Sequence, residues 1–190
     1  ENLIPQSKEI EKSFLLTKAN YDNTLLKLLN SEYLLFKSKA IFFQKHNWNP
    51  NDIIYMMEKL SNLCKIFIVG DLEDNEFNRK YSENFYKINI GDNNYSNDKK
   101  NSKIIYLENL TGSDLCTFLN KSKLLFGPHG TTSNIARFLN TRIFDFFEKN
   151  TPKNSFHEYR IKLKNYNFIL FDTDITKITK KIIKRLSILI

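Results

Sequence analysis

Residues 124–136 read Leu-Leu-Phe-Gly-Pro-His-Gly-Thr-Thr-Ser-Asn-Ile-Ala, and this stretch decides the fold. An apolar strand leads into Gly127 and Gly130, which allow a tight turn and a close approach of the backbone to a ligand. One of the hydroxyl residues at 131–133 can cap the helix that follows, whose first N–H groups carry the positive end of its dipole. A strand, a glycine turn and a helix N-terminus together indicate an anion site, usually for phosphate. An ordinary strand-to-helix turn with a good N-cap is the alternative.

Short apolar runs alternate with segments of helical character through most of the chain. The predicted strands are Lys39–Gln44, Lys65–Val69, Tyr86–Ile90, Lys103–Leu107, Leu124–Phe126, Arg142–Phe147 and Asn165–Phe171. The predicted helices are Ile53–Asn62, Asn75–Phe85, Ser113–Lys121, Thr132–Leu139 and Ile175–Leu189. Asp52 or Asn51 can cap the first of these helices, and Ser113 or Asp114 can cap the third. Short apolar strands separated by helices need a parallel sheet that is covered on both faces. The sequence therefore predicts an α/β fold with a doubly wound, mostly parallel, Rossmann-like sheet.

The first 37 residues have a different pattern, because their leucines recur at helical spacing. We predict a helical segment and interdomain connector over residues 1–37, followed by one α/β domain over residues 38–190. The first residue is Glu rather than Met, so we expect the chain to have been cut from a longer protein or processed.

The composition limits the classes of partner. Hydrophobic content of 41% and charged content of 26% are typical of a soluble globular protein, and no apolar run reaches the ~18 residues of a membrane span. The net charge of +8 favours anionic partners. The lysines are spread along the chain without an arginine-rich arm, which disfavours nucleic acid. Cys64 and Cys116 are far apart in apolar stretches and are predicted to be reduced core residues.

In a doubly wound sheet the ligand lies beyond the carboxyl ends of the strands, where the strand order reverses. The predicted strand ends are Lys45-His46, Gly70-Asp71, Glu108-Asn109, Pro128 to Thr132 and Phe147-Glu148. A carboxylate at such an end, such as Asp71, can bind ribose hydroxyls, and helix capping is its alternative role. No His, Cys or acidic residues have the spacing of a known metal site, and we find no Ser-His-Asp or Cys-His arrangement.

From Lys39 to Phe147 the chain resembles the donor-binding, C-terminal half of GT-B glycosyltransferases, and most closely the heptosyltransferase-like family. The matching pieces are His46–Pro50, Val69–Asp71, Leu110–Leu115, Lys121–Ala136 and Asn140–Ile143. Where that family has Asp-Thr-Gly, this chain has His129-Gly130-Thr131, and Asn134 replaces a later family histidine. The Gly-Pro-His-Gly element followed by Asn also resembles a second group, the xylosyl- and GlcNAc-transferases with a Gly-x-His-Gly motif.

The resemblance implies a donor site for a nucleotide-diphosphate sugar that is held without a metal or another cofactor. The amides at 130–132 and the Thr131 and Thr132 hydroxyls would hold the diphosphate, and His129 could donate a hydrogen bond to a phosphate oxygen. The other implied substrate-binding residues are Lys45, His46, Asp71, Glu108, Asn109, Leu110, Gly127 and Asn134. Capping by the threonines, packing of the histidine and simple solvation of the lysine are the alternative readings.

The resemblance therefore implies a glycosyltransferase that transfers a sugar to a glycan or glycolipid acceptor. An N-terminal acceptor domain would be required, and no catalytic base can be identified in this chain. We expect a cytoplasmic protein whose basic last helix either lies near an anionic membrane surface or is simply solvated. The alternative function is a non-catalytic module that binds a nucleotide or phosphosugar; a nucleic-acid-binding protein ranks third.

Overall fold

A computed structural model describes residues 23–70, 76–90, 102–152 and 165–190. Their strands form one seven-stranded sheet in the order β3-β4-β2-β1-β5-β6-β7, and every neighbouring pair is parallel. The strands are β1 (Tyr33–Lys37), β2 (Lys65–Val69), β3 (Tyr86–Asn89), β4 (Ile104–Glu108), β5 (Leu124–Pro128), β6 (Ile143–Phe147) and β7 (Tyr166–Leu170). The predicted parallel α/β sheet is confirmed.

Helices connect the strands, as parallel pairing requires. Those in the described residues are α1 (Asn23–Leu29), α2 (Ala40–Lys45), α3 (Pro50–Leu60), α4 (Glu76–Ser82), α5 (Gly112–Lys121), α6 (Thr131–Phe138) and α7 (Ile175–Leu189). They cover both faces of the sheet. Buried side chains of α2, α3, α4 and α7 share one core cluster, whereas those of α1, α5 and α6 share the other. The fold is therefore doubly wound.

Alternate residues of the central strand face the two cores. Leu34 and Phe36 pack in the first cluster, while Tyr33 and Leu35 pack in the second, and all four are fully buried. A strand that is buried on both faces is apolar without alternation. The Tyr-Leu-Leu-Phe run of β1 has this composition because the strand lies in the middle of the sheet.

The order of the strands reverses between β1 and β5. On one side of β1 lie, in spatial order, β2, β4 and β3. The chain then returns to the other side of β1, where β5, β6 and β7 follow one another. Connections leave β1 and β5 toward opposite directions of the sheet, so a crevice opens at their carboxyl ends. This position places Lys37 and residues 127–130 at the point where such folds bind ligands.

Two predicted elements near the start of the sheet are wrong. The predicted strand Lys39–Gln44 is instead helix α2, and Tyr33–Lys37, which lies in the segment predicted to be helical, is the strand β1. Both segments contain a short apolar run, and periodicity alone cannot distinguish a buried strand from a buried helix at this length. The remaining predicted strands and helices are confirmed to within a few residues. The division at residue 37 stays a prediction.

Helix caps also differ from those predicted. Asn49, rather than Asn51 or Asp52, caps α3, because its side-chain oxygen accepts from both of those amides while Asp52 accepts from the Asn49 amide. Thr111, rather than Ser113 or Asp114, caps α5. In both cases the helix begins earlier than the apolar pattern indicates, because its first turn contains no large apolar side chain that would extend the pattern.

The two cysteines are free thiols, and Cys116 is buried whereas Cys64 is half-buried. Burial raises the pKa of each thiol above its ordinary value, which disfavours the reactive thiolate. The prediction that they are reduced residues of the apolar interior is confirmed for Cys116 and in part for Cys64.

Helix α7 is basic on its exposed side and apolar on the side that packs against the sheet. Ile178, Ile182 and Leu186 are fully buried, whereas Lys180 and Lys184 are exposed. Among the helices of the described ranges, none is both long and apolar enough to cross a membrane.

The Asn49 cap generates a test of the fold. We expect Asn49→Ala to lower the free energy of unfolding by about 1 kcal/mol, because the amides at the start of α3 lose their acceptor. Asn51→Ala is the matched control, since Asn51 is exposed at the second helical position, and it should change stability by less than ~0.5 kcal/mol. Urea unfolding followed by circular dichroism measures both. An equal loss in the two variants would contradict the assignment of the cap.

Candidate functional site

The site begins where β5 passes close to β1. Gly127 has φ +140°, a conformation that side chains rarely adopt, and a Cβ atom on Gly127 would collide with the Lys37 carbonyl oxygen. A residue without a side chain is therefore needed at this point. The close contact brings the ends of β1 and β5 together at the reversal of strand order.

Lys37 is the basic residue of this crevice. A Cβ atom on Gly130 would lie 3.4 Å from Lys37 Nζ, so the ammonium group is at the N-terminus of α6. Lys37 is not among the predicted site residues, because the segment before residue 38 is predicted to be a helix. A lysine that directly follows a four-residue apolar run is the signal that could have identified it.

The N-terminus of α6 is formed by backbone rather than by a hydroxyl cap. Gly130 is the N-cap, and Thr131 and Thr132 are the first two helical residues, so the predicted capping by residues 131–133 is wrong in position. Ser133 accepts the Gly130 N–H at 3.4 Å. Thr131 is exposed and Thr132 is buried. The amides of the first turn of any helix have no partner within that helix, which suits them to an anion.

His129 lies against a buried carboxylate. Its Nδ1 is 2.7 Å from Asp145 Oδ2, and its ring stacks on Phe147 with a centroid distance of 4.8 Å. Asp145 is 1% exposed, and it also accepts from the hydroxyls of Ser133 at 2.7 Å and Tyr166 at 3.0 Å. Three donors from three elements therefore converge on one carboxylate beneath the glycine turn.

This cluster contains Ser133, His129 and Asp145, a set of residue types that sequence analysis did not bring together. It is not the arrangement of a nucleophilic serine, because the Ser133 hydroxyl donates to the carboxylate rather than to the imidazole. Its sequence signal is the single acid in the strand Ile-Phe-Asp-Phe-Phe, whose five residues are all buried. A charge in such a strand requires partners, and those partners come from neighbouring elements.

Lys45 and His46 lie at the end of α2, not at the end of a strand. Lys45 forms an exposed ion pair with Glu148, with 3.7 Å between Nζ and Oε1. His46 Nδ1 lies 2.8 Å from the Phe42 carbonyl oxygen, and its ring packs edge-on against Phe171. Both side chains thus have structural partners, and their predicted contact with phosphate stays a prediction.

Glu108 ends β4, and Asn109 and Leu110 follow it, three strand spacings or about 14 Å from β5. Glu108 pairs with Lys87 at 3.0 Å, and Asn109 adopts a left-handed backbone conformation and donates to the Asn89 side chain at 2.8 Å. They form a separate group at the same edge of the sheet.

Two further predicted residues complete the set. Asp71 lies outside the described residues. Asn134 is half-buried in the first turn of α6, where its backbone N–H donates to the Gly130 carbonyl oxygen at 3.3 Å. The structure therefore brings His129, Gly130 and the two threonines together with Gly127.

Metal-binding side chains are not grouped in this part of the chain. Within residues 23–70, 76–90, 102–152 and 165–190, no three His, Cys, Asp or Glu side chains lie together as ligands would.

Comparison with known proteins gives a match in structure but not in sequence. No protein-family model matches the chain. No curated protein sequence matches it either. The UDP-GlcNAc 2-epimerase of Methanocaldococcus jannaschii, solved with UDP-GlcNAc and UDP, matches 93% of the chain with a TM-score of 0.56 and 10% identity. The E. coli heptosyltransferase WaaC, solved with ADP-2-deoxy-2-fluoro heptose, matches 93% with a TM-score of 0.55 and 11% identity.

Both of these solved structures are members of the GT-B fold. This chain folds as a GT-B domain. It spans 44% of the epimerase chain and 46% of the heptosyltransferase chain, so it corresponds to less than half of either protein. The resemblance to GT-B glycosyltransferases is thus confirmed for the fold, whereas the resemblance to the Gly-x-His-Gly group stays a prediction.

The junction of β1 and β5 can be tested with two glycines. We expect Gly127→Ala to cost about 2–3 kcal/mol of unfolding free energy, because the new Cβ meets the Lys37 carbonyl and the backbone angle is unfavourable. Gly112→Ala is the control, since nothing lies within 4 Å of its Cβ position at the start of α5. It should be neutral or stabilising by about 0.5 kcal/mol. Similar losses in chemical denaturation of both variants would rule out a steric requirement at Gly127.

Proposed function

We propose that the crevice between the ends of β1 and β5 binds the diphosphate of a nucleotide sugar. The observation that carries this proposal is the Lys37 ammonium group beside Gly130, at the N-terminus of α6 and at the reversal of strand order. A cation and the first amides of a helix offer an anion both charge and directed N–H donors. The Thr131 hydroxyl, which is at the exposed start of the helix, can add a further donor.

The solved structures support this ligand class. Both matched proteins were solved with nucleotide sugars or nucleotides, UDP-GlcNAc and UDP in one and an ADP-heptose analogue in the other. One of the two proteins is an epimerase and the other a transferase, so beyond the fold they have a class of ligand in common. This shared class, together with the cation at the helix N-terminus, favours a nucleotide sugar over a free phosphate.

The reaction that we propose is glycosyl transfer without a metal. When the bond between the sugar and the diphosphate breaks, negative charge develops on the leaving diphosphate, and fixed donors stabilise that charge in the transition state. Lys37 and the amides of Thr131 and Thr132 would supply this stabilisation. The acceptor, a glycan or glycolipid, would be held by an N-terminal acceptor domain, which would also supply the catalytic base.

The base and ribose would extend toward β4. Residues 108–110 lie at the carboxyl end of that strand, about 14 Å from β5, a separation that an extended nucleoside diphosphate can bridge. We propose that Asn109 and Leu110 line the base pocket and that Asp71 binds the ribose hydroxyls. Lys45 and His46 would then act at the outer side of the crevice.

A non-catalytic nucleotide-binding module is the second candidate. The sequence His129-Gly130-Thr131 at the place of the family's Asp-Thr-Gly favours it. Binding without consumption of the sugar nucleotide by the full-length protein would select this function.

Ligand binding by the chain tests the proposal. We expect UDP, ADP, GDP or CMP, or one of their sugar conjugates, to raise the melting temperature with EDTA present. A ligand at 100 times its Kd stabilises by about 2.7 kcal/mol, which corresponds to about 5–11 °C for a domain of this size. Lys37→Gln should weaken the Kd about 10–100-fold, because a charge-assisted contact to phosphate is lost.

Lys65→Gln is the matched control for Lys37→Gln. Lys65 begins β2 and pairs in register with Tyr33, so it lies at the opposite edge of the sheet from Lys37 and is half-buried like it. This variant should bind as the wild type does. If no nucleotide or sugar nucleotide shifts the melting temperature, or if both variants lose binding equally, the crevice is not the diphosphate site.

A further inference from the structure

The Asp145 carboxylate is a charged group in the apolar core. It is 1% exposed in a strand whose other residues are apolar, and a buried charge is costly unless it is paired and hydrogen-bonded. The hydroxyls of Ser133 and Tyr166 come from α6 and β7, and they are the neutral members of its shell. The third donor is the ring of His129, which is 25% exposed and is the group through which this cluster reaches the surface.

The contact between His129 and Asp145 determines which hydrogen bonds the imidazole can form with a ligand. A carboxylate accepts hydrogen bonds, so Nδ1 of His129 must carry a proton at 2.7 Å from Asp145 Oδ2. The ring can then form a hydrogen bond with a ligand only through Nε2. In the neutral ring Nε2 is an acceptor and would repel a phosphate oxygen. In the imidazolium it is a donor, and the carboxylate behind the ring stabilises its charge.

The position of His129 favours Nε2 as a hydrogen-bond donor to an anion. It precedes the N-cap Gly130 by one residue, at the same helix terminus as the Lys37 ammonium. Among the described residues, the titratable and charged groups near it include Asp145 on β6, Tyr166 on β7 and Lys37 on β1. A diphosphate bound at this terminus would place negative charge beside the ring.

We propose that Asp145 is a positioning residue that holds His129 with Nδ1 protonated, so that His129 takes up a proton at Nε2 and binds the diphosphate as an imidazolium. This inference rests on the proposed function. The diphosphate is then neutralised by two side chains of the chain itself, Lys37 and His129. Ser133 and Tyr166 complete the hydrogen bonding of the carboxylate that makes the second cation stable.

The first test is made on the chain without a ligand. Long-range proton–nitrogen correlation spectra of ¹⁵N-histidine protein, recorded well above the ordinary histidine pKa of about 6.5, identify which ring nitrogen carries the proton. His129→Gln assigns the signal. We expect the Nδ1–H tautomer in the wild type and in Tyr166→Phe, and a shift toward the Nε2–H tautomer in Asp145→Asn. A wild-type ring with the proton on Nε2 would refute the role of Asp145.

The second test measures proton uptake on binding. Inorganic pyrophosphate, UDP, ADP and GDP are titrated calorimetrically into the chain in two buffers with different protonation enthalpies. We expect proton uptake in the wild type beyond that in His129→Gln, which reports the ligand's own protonation. Affinity should fall about tenfold or more in His129→Gln and in Asp145→Asn, and little in Tyr166→Phe.

The outcomes separate this inference from the proposed function. Binding with equal proton uptake in the wild type and His129→Gln would overturn the imidazolium role and leave the diphosphate site standing. If none of the four probes binds, the proposed function falls and the imidazolium role falls with it, while the tautomer still decides whether Asp145 positions the ring. Both tests remain decisive if Asp145→Asn does not fold, because the wild type and His129→Gln alone give the tautomer and the proton uptake.

Discussion

The contact between Gly127 and the Lys37 carbonyl is the constraint on which the rest of the site depends. It lies where β1 meets β5, at the reversal of strand order, and it is possible only because residue 127 has no Cβ. The same contact sets the distance from the end of β1 to the turn at residues 128–130. As a result the Lys37 side chain reaches the N-terminus of α6. His129, which lies in the turn, is placed beside Asp145 of the next strand.

Most of the sheet could be predicted from the sequence, because its strands are short apolar runs with helical segments between them. The error at the start of the sheet has a physical reason. Tyr33–Lys37 and Ala40–Lys45 are both short and apolar, and only tertiary pairing with β2 and β5 makes the first of them a strand. Local patterns do not contain that pairing. The predicted strand therefore ended at residue 44 instead of residue 37.

That single error determined which basic residue was expected in the crevice. Because ligands are expected at strand ends, the misplaced end pointed to Lys45 and His46, which lie at the end of α2, while the true end carries Lys37. The glycine turn was predicted correctly because its residues are contiguous in sequence. Asp145 was not found for the opposite reason. It is sixteen positions from His129, and only the parallel pairing of β5 with β6 brings the two side chains together.

The positive charge of the chain is less informative than its distribution. A surplus of eight positive charges indicates an anionic partner, but several lysines at the ligand edge of the sheet are paired with carboxylates, as Lys45 is with Glu148 and Lys87 with Glu108. Exposed pairs of this kind contribute little to stability and leave little net charge for a ligand. In the crevice, the close contact of β1 with β5 places Lys37 at the N-terminus of α6, and the buried Asp145 carboxylate positions the His129 ring. Groups that are positioned in advance do not have to be ordered by a ligand, and this is the property that a site for a diphosphate requires.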